Sequence, residues 1–201
     1  VDLSAGMLQR ARQRLAGHPE VSFVAGDALA QLVVARGLDL VISTWVLGYI
    51  APVPFYAAAA EALTPGGLLA FLVHRQDSPR EPLEIFAELI ARDPGVLRKR
   101  VEFGFPRDVS QVRNELAASG FVVDDLWEGE VVFRYPDAEQ VLEHLLKSGA
   151  GTAFHEAIAP PQRDGLTREF VRLLAARHRG QAQIAVVHEY IAGIARTRPQ
   201  R

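Results

Sequence analysis

Three polar side chains stand where short predicted strands end, and their types suit hydrogen bonds to a ligand rich in hydroxyl and amine groups. Asp2, Asp27 and Ser43 each follow an apolar stretch of the chain. In open α/β sheets, ligands bind beyond the carboxyl ends of the strands, so these side chains are expected to line one crevice. A carboxylate has only acceptor oxygens, which suits the two hydroxyls of a ribose at Asp2 and the exocyclic amine of an adenine at Asp27.

Neighbouring residues extend this predicted site. The backbone N–H of Ala28 is expected to reach a ring nitrogen of the base, and Ser43 and Trp45 are expected near the reacting end of the ligand. Structural roles stay open for the same residues, since an Asp that precedes a helix often serves only as its N-cap. Asp27 fits both descriptions, and Ser43 also fits a strand-end hydroxyl that bonds to the backbone.

The histidines are the candidate proton acceptors by type. His74 follows the apolar run 68–73 and is expected at the crevice edge, as a general base for a weakly acidic hydroxyl or amine. The alternative for His74 is a solvent-facing position at a strand end. The dipeptide His188-Glu189 is expected inside the last strand as a cross-strand polar pair, and His144 is expected at the surface. No His-x-x-x-His or paired-carboxylate motif occurs, so no metal site is predicted.

Aromatic rings follow the apolar run 38–43. Trp45 and Tyr49 are expected to wall a small-molecule pocket, which is usually lined by apolar and aromatic side chains. Ordinary packing is the alternative for both, and it is the favoured interpretation for Phe55.

Alternating apolar runs and helical periodicity predict the elements that position these residues. Continuous apolar runs are typical of strands buried on both faces, and Ser4 is expected to cap the first helix. The alternation of strand and helix favours an α/β fold with a mostly parallel sheet and right-handed crossovers. The predicted strands lie near residues 21–24, 38–43, 68–73, 121–133 and 182–195, and the predicted helices over 28–35, 52–63, 83–91, 109–118, 138–146 and 166–177.

The composition is that of an ordinary globular domain. The 201 residues carry a net charge of −2 and no cysteine, which removes disulfides and cysteine nucleophiles. There is no basic footprint for nucleic acid, no apolar run of the roughly 18 residues that span a bilayer, and no signal peptide, so the expected location is cytoplasmic. We expect a single domain over 1–201, with a lid insertion around 78–107 and further lid helices around 137–178.

Several motifs resemble those of one known family. The chain reads Val-Asp-Leu-Ser-x-x-Met-Leu at 1–8, Val-Ala-Gly-Asp-Ala at 24–28, Leu-Asp-Leu-Val-Ile-Ser-Thr-Trp-Val-Leu at 38–47, and Leu-Thr-Pro-Gly-Gly-Leu-Leu at 63–69. These segments resemble the second-strand, adenine-contacting, fourth-strand and fifth-strand motifs of the class I S-adenosylmethionine-dependent methyltransferases. The resemblance implies a Rossmann-like fold with an antiparallel last strand and S-adenosylmethionine as cofactor. It also implies cofactor contacts from Asp2, Leu3, Met7, Asp27, Ala28 and Ser43.

One family motif is missing from the chain. The first strand and Gly-rich loop of the family, which cradle the methionine part of the cofactor, are expected before Val1, and no Gly-x-Gly-x-Gly occurs anywhere in the sequence. The expectation is therefore an N-terminally truncated fold that binds the cofactor weakly or not at all.

The resemblance implies methyl transfer to a small organic or carrier-bound acceptor. A non-catalytic remnant or interaction module is the first alternative. A nucleotide-dependent oxidoreductase is the second, because an acidic residue at the end of the second strand also serves dinucleotide-binding folds.

Overall fold

A computed structural model of the chain describes residues 1–99, 103–148 and 151–198. In chain order its helices and strands are α1 (Ala5–Arg14), α2 (Ala28–Val34), β1 (Leu38–Thr44), α3 (Pro52–Ala62), β2 (Leu63–His74), α4 (Arg80–Arg92), a short 3-10 helix (Pro94–Val96), α5 (Val109–Ala118), β3 (Phe121–Tyr135), α6 (Ala138–Ser148), α7 (Thr152–Ala157), α8 (Pro160–Arg177) and β4 (Ile184–Thr197).

The described chain divides into two compact units. Unit 1 comprises the described residues of 1–73, 108–127 and 192–201, and unit 2 comprises those of 74–107 and 128–191. Unit 1 therefore contains α1, α2, α3, α5 and β1, whereas unit 2 contains α4, α6, α7 and α8. The strands β2, β3 and β4 each contribute residues to both units.

The sheet has the strand order β1-β2-β4-β3, and β1 pairs with β2 in parallel. At the end of β4, the hydroxyl of Thr197 donates to the carbonyl of Thr64, near the start of β2, at 2.7 Å. Earlier in β4, the carbonyl of Glu189 accepts from the amide of Arg75, just beyond β2, at 3.0 Å. The two strands therefore run in opposite directions. The predicted α/β fold with an antiparallel last strand is confirmed.

The strand predicted at 21–24 is wrong. This segment forms no ladder; a single parallel bridge joins Ala25 to Asp2. Its hydrogen bonds run from the Asp2 amide to the Val24 carbonyl and from the Gly26 amide to the Asp2 carbonyl, each at 3.1 Å. One paired residue is too short to build a strand, although the local backbone is extended.

The strand β1 is also less buried than its apolar run suggests. Val41 and Ser43 are buried, but Leu40 is 48% exposed and Ile42 is 64% exposed. β1 stands at one end of the strand order. The expectation of burial on both faces, which fits interior parallel strands, is wrong for β1.

A glycine turn lies inside β2, a few residues after the end of α3. Gly66 has φ +80°, and a Cβ on Gly67 would lie 2.9 Å from the carbonyl oxygen of Thr64 and 3.2 Å from that of Leu38. Because real Cβ atoms do not approach a carbonyl oxygen so closely, this position requires glycine. The turn sets the parallel register in which Ser43 of β1 lies opposite Phe71 of β2.

Each unit has its own apolar core. In unit 1, Tyr56 of α3 is 1% exposed and packs on Phe71 with ring centroids 5.9 Å apart. In unit 2, the rings of Phe86 and Phe170 stack at 4.5 Å between α4 and α8. The segments predicted as lids fall in unit 2, except that 100–102 and 149–150 lie outside the described residues; their role as lids stays a prediction.

Helix α8 begins earlier than predicted. It starts at Pro160, whereas the sequence predicted a start at residue 166. Two prolines in the first turn caused the error, because proline lacks an N–H but is tolerated where helical N–H groups have no partner. Across the described residues, no helix combines the length and apolar character needed to cross a bilayer.

Candidate functional site

Unit 1 contains a cleft of about 570 Å³. Its walls come from the first residues of the chain, the start of α2, β1 and the segment that follows β1. Three predicted site residues are not among the described residues that line the cleft: Met7, Trp45 and His74. The predicted site residues that do line it are Asp2, Leu3, Asp27, Ala28, Ser43 and Tyr49.

Asp2 is held by its bridge to Ala25 and by the turn that starts α1. Its Oδ1 atom accepts a hydrogen bond from the Ser4 amide at 2.7 Å. The Ser4 hydroxyl accepts in turn from the Met7 amide and caps α1, as predicted. The hydrogen bonds that the described residues make to the Asp2 carboxylate involve Oδ1, so Oδ2 retains its capacity to accept from a ligand.

Asp27 is the N-cap of α2. Its Oδ1 atom accepts from the Ala30 amide at 2.7 Å. Ala28 is the first residue of this helix, and an N–H in the first turn has no partner inside the helix. The structural role proposed for Asp27 is thus confirmed, and the position of both residues in the cleft leaves a ligand role compatible with it.

The far wall of the cleft follows the end of β1. Ser43 is 7% exposed, and Tyr49 is 40% exposed; partial burial raises the pKa of the Tyr49 phenol, which therefore stays neutral as a hydrogen-bond donor. Trp45 turns the chain there with φ +60°, and its amide donates to the Leu72 carbonyl at 2.8 Å. A positive φ is rare for a bulky residue, so the backbone at this strand end is strained.

Met7 and His74 lie elsewhere. Met7 is on α1 and is 54% exposed. His74 belongs to unit 2, where it is 5% exposed and its ring lies 5.5 Å from Phe105 and 5.4 Å from His188. Burial lowers the pKa of His74 to about 4. The solvent-facing alternative for His74 is wrong, and its role as a base stays a prediction.

Sequence reasoning missed a histidine cluster in unit 2. Nε2 of His144 lies 2.8 Å from Nε2 of His188, so His144 is not a plain surface residue. The two are 44 positions apart, and no local motif links them. Within the described chain, no set of three or more histidine or acidic residues is arranged to hold a metal ion.

The comparisons of sequence find methyltransferases. A sequence model described as "Methyltransferase domain" matches residues 1–67. The malonyl-[acyl-carrier protein] O-methyltransferase of Geobacter sulfurreducens is 27% identical over 196 residues, which are 96% of this chain and 72% of the relative. The enzyme of the same name from Halalkalibacterium halodurans is 26% identical over 155 residues, 75% of this chain and 56% of the relative.

Solved structures give the same fold. A Bacillus halodurans protein, named provisionally as a methyltransferase, superposes with a TM-score of 0.59 at 16% identity, over 99% of this chain and 81% of that protein. The motifs at 1–8, 24–28 and 38–47 lie in or beside the region that the family match covers. The family match over residues 1–67, the two relatives and the fold together make this chain similar to the class I S-adenosylmethionine-dependent methyltransferases.

Proposed function

We propose that the cleft of unit 1 holds the adenosyl part of S-adenosylmethionine and that the protein transfers its methyl group to a carrier-bound carboxylate. The observation that carries the first half is the position of Asp2 and Asp27 on the walls of one cleft. One carboxylate suits the ribose diol and the other suits the adenine amine, since both offer acceptor oxygens only.

The donor set of the cleft fits a nucleoside. The bonds that fix Asp2 and Asp27 use Oδ1 in both cases, which leaves Oδ2 for a ligand. The first-turn N–H of Ala28 suits a ring nitrogen. The cleft volume of about 570 Å³ falls in the range of roughly 300–1,000 Å³ that is usual for small-molecule sites. Apolar side chains such as Leu3 and Phe55 supply walls for the base.

The support for the acceptor is the activity named for the relatives. The Geobacter relative, aligned over 96% of this chain, is a malonyl-[acyl-carrier protein] O-methyltransferase. A carboxyl group with a pKa of about 4 is ionised at neutral pH, so a carboxylate acceptor needs no general base. On this account His74 is not required to remove a proton, which agrees with its burial.

When bound in the cleft, S-adenosylmethionine would supply an electrophilic methyl group: its S–C bond would break as the carboxylate oxygen forms the O–C bond, with the electron pair left on sulfur and no proton transferred. The residues of the chain have to orient the carboxylate in line with the methyl group and exclude water, which is catalysis by positioning.

The cofactor half is tested by calorimetric titration with S-adenosylhomocysteine. Asp27→Asn and Asp2→Asn retain the backbone hydrogen bonds of their sites but remove the charge. We expect each to weaken binding roughly tenfold or more, because hydrogen bonds to charged groups contribute about 1.5–3 kcal/mol. The matched control is Asp164→Asn, an exposed residue of α8 in unit 2, which should bind like the parent. Because the chain has no Gly-x-Gly-x-Gly loop, the titration is repeated on a version that carries such a strand and loop before Val1.

The acceptor half is tested separately with a radiolabelled methyl donor. We expect label in a malonyl-loaded carrier protein and none in the carrier loaded with butyryl, which lacks the free carboxylate. Cofactor binding without transfer to the malonyl carrier would contradict the acceptor alone. The absence of binding in every version would favour the non-catalytic interaction module.

A further inference from the structure

Three histidines of unit 2 meet although they are distant in the sequence. Nε2 of His144, on α6, lies 2.8 Å from Nε2 of His188, on β4. The ring of His74 lies 5.4 Å from that of His188. His188 is 3% exposed and His74 is 5% exposed. The hydrogen bond between His144 and His188 thus ties α6 to β4 at a partly buried position.

This hydrogen bond requires at least one neutral ring. A neutral imidazole has one N–H donor and one acceptor nitrogen, whereas a protonated imidazole has two donors and no acceptor. At 2.8 Å one Nε2 must donate while the other accepts. A protonated ring still donates to a neutral one, but once both rings are protonated both Nε2 atoms carry hydrogen and the two N–H groups face each other.

The surroundings of His144 are aromatic or already paired. Phe133 and Tyr135 of β3 pack against its ring with centroid distances of 4.7 Å and 5.2 Å. Its neighbours on α6, Glu143 and Lys147, form an ion pair with each other. The Glu143 carboxylate is therefore engaged with a cation in the present arrangement.

The charges near His188 and His74 are paired in the same way. Arg75, which follows β2, lies 3.7 Å from Glu189 of β4 and 3.8 Å from Glu128 of β3. Within unit 2, the elements that carry the cluster and its aromatic neighbours also hold Glu139 on α6, Glu130 and Arg134 on β3, and Tyr190 on β4.

We propose that the His144–His188 contact is an acid-released latch, which holds α6 against β4 while at least one ring is neutral and opens when both are protonated. The electrostatics agree with this geometry. Burial, together with the nearby His74 and His144, lowers the pKa of His188 to about 4. Burial also lowers the pKa of His144. The latch is therefore closed at neutral pH, and it concerns unit 2 alone, whatever acceptor the protein uses.

Hydrogen exchange of the α6 amides tests the latch. After correction for intrinsic rates, we expect protection of α6 to fall roughly tenfold or more between about pH 7 and pH 5. In His144→Gln, whose amide does not titrate, the loss should be clearly smaller than in the parent, because a protonated His188 can still donate to the amide oxygen. The matched control His18→Gln changes an exposed histidine of unit 1, and it should behave like the parent. Equal protection of α6 in the parent at both pH values would overturn the proposal, as would a full loss in His144→Gln.

A measurement on the unmodified chain covers the case in which His144→Gln does not fold. The imidazole carbon signals of His144 and His188 are followed by NMR as the pH is lowered. We expect both to titrate below the ordinary histidine range near 6.5, and the α6 amide signals to shift as the second of the two rings is protonated. Titration of both rings without any response of α6 would overturn the proposal.

Discussion

Asp2 reaches the same cleft as Asp27 because a backbone bridge joins Asp2 to Ala25, which lies two residues before Asp27. The amide of Gly26, which directly precedes Asp27, donates to the carbonyl of Asp2 at 3.1 Å. The two carboxylates are thereby fixed by backbone hydrogen bonds rather than by contacts between their side chains. This arrangement is the structural basis of the proposed adenosine site.

The first prediction separates the capping role of Asp27 from its ligand role. Asp27→Ala removes the bond to the Ala30 amide, and we expect the free energy of unfolding to fall by about 1 kcal/mol, the usual effect of losing an N-cap. Asp27→Asn should leave stability nearly unchanged, because Asn caps as well as Asp. Urea denaturation measures both. If Asp27→Asn also keeps full affinity for S-adenosylhomocysteine, Asp27 is a cap and nothing more.

The second prediction concerns the glycine turn near the start of β2. In Gly67→Ala the new Cβ would lie 2.9 Å from the Thr64 carbonyl oxygen. We expect a loss of roughly 1–3 kcal/mol in the free energy of unfolding, as for other overpacked sites. Gly165→Ala, inside α8 with open space around its Cβ, should instead stabilise the protein by up to about 1 kcal/mol. A Gly67→Ala variant as stable as the parent would show that the turn tolerates a side chain.

The third prediction is a loss of stability in mild acid. Burial lowers the pKa of both His74 and His188 to about 4, from an ordinary value of 6.5. Between these values the unfolded chain binds more protons than the folded chain, so the free energy of unfolding falls as the pH falls. The slope approaches about 1.4 kcal/mol per pH unit for each group. Urea titrations at about pH 7, 5.5 and 4.5 measure it.

Two other titratable groups, His178 and Glu169, change the stability in the opposite direction or over a different pH range. The pKa of His178 is raised: burial opposes this, but hydrogen bonds with Gln181 and Glu81 outweigh it. Its stabilisation is present below 6.5 and is lost as the pH rises, so His178→Gln should steepen the acid loss. The pKa of Glu169 is lowered to about 2, chiefly by its hydrogen bond from Arg172, and its contribution is lost below the range of the test. A flat profile from neutral to about pH 4.5 would contradict the third prediction.

The fold was largely predictable where pattern and burial agree. The apolar run 68–73 is the buried half of β2, and Asp108 caps α5 where the sequence predicted a helix from 109. The pattern failed where neighbours decide the outcome. The segment 21–24 has strand-forming residues, but among the described residues the strand-like pairing beside it is limited to the single bridge between Ala25 and Asp2. The burial of Leu40 depends on what covers β1, which periodicity does not report.

The site was predictable only in part for the same reason. Asp2, Asp27 and Ser43 were found because strand ends converge on one edge of a sheet. Met7 and Trp45 lie within the same motifs, yet neither is among the described residues that line the cleft. The contact between His144 and His188 depends on how α6 docks on β4, and no spacing in the sequence encodes it.

The fourth prediction concerns the Gly-rich loop. A loop of the type Gly-x-Gly-x-Gly lets backbone N–H groups approach a ligand closely, and the chain contains none. We expect a version extended before Val1 by a strand and such a loop to bind S-adenosylhomocysteine at least roughly tenfold more tightly than the chain alone, which corresponds to about 1.4 kcal/mol. Equal, tight binding by both versions would show that other segments make the site.

The most direct test of the central claim is an NMR map of S-adenosylhomocysteine binding to the chain and its extended version. The account predicts that the amide signals of Gly26, Ala28 and Ser43, which line the cleft with Asp2 and Asp27, shift on titration. It also predicts that Asp27→Asn suppresses these shifts while Asp164→Asn leaves them intact. Saturable binding that moves signals elsewhere and leaves those of the cleft unchanged would contradict the account.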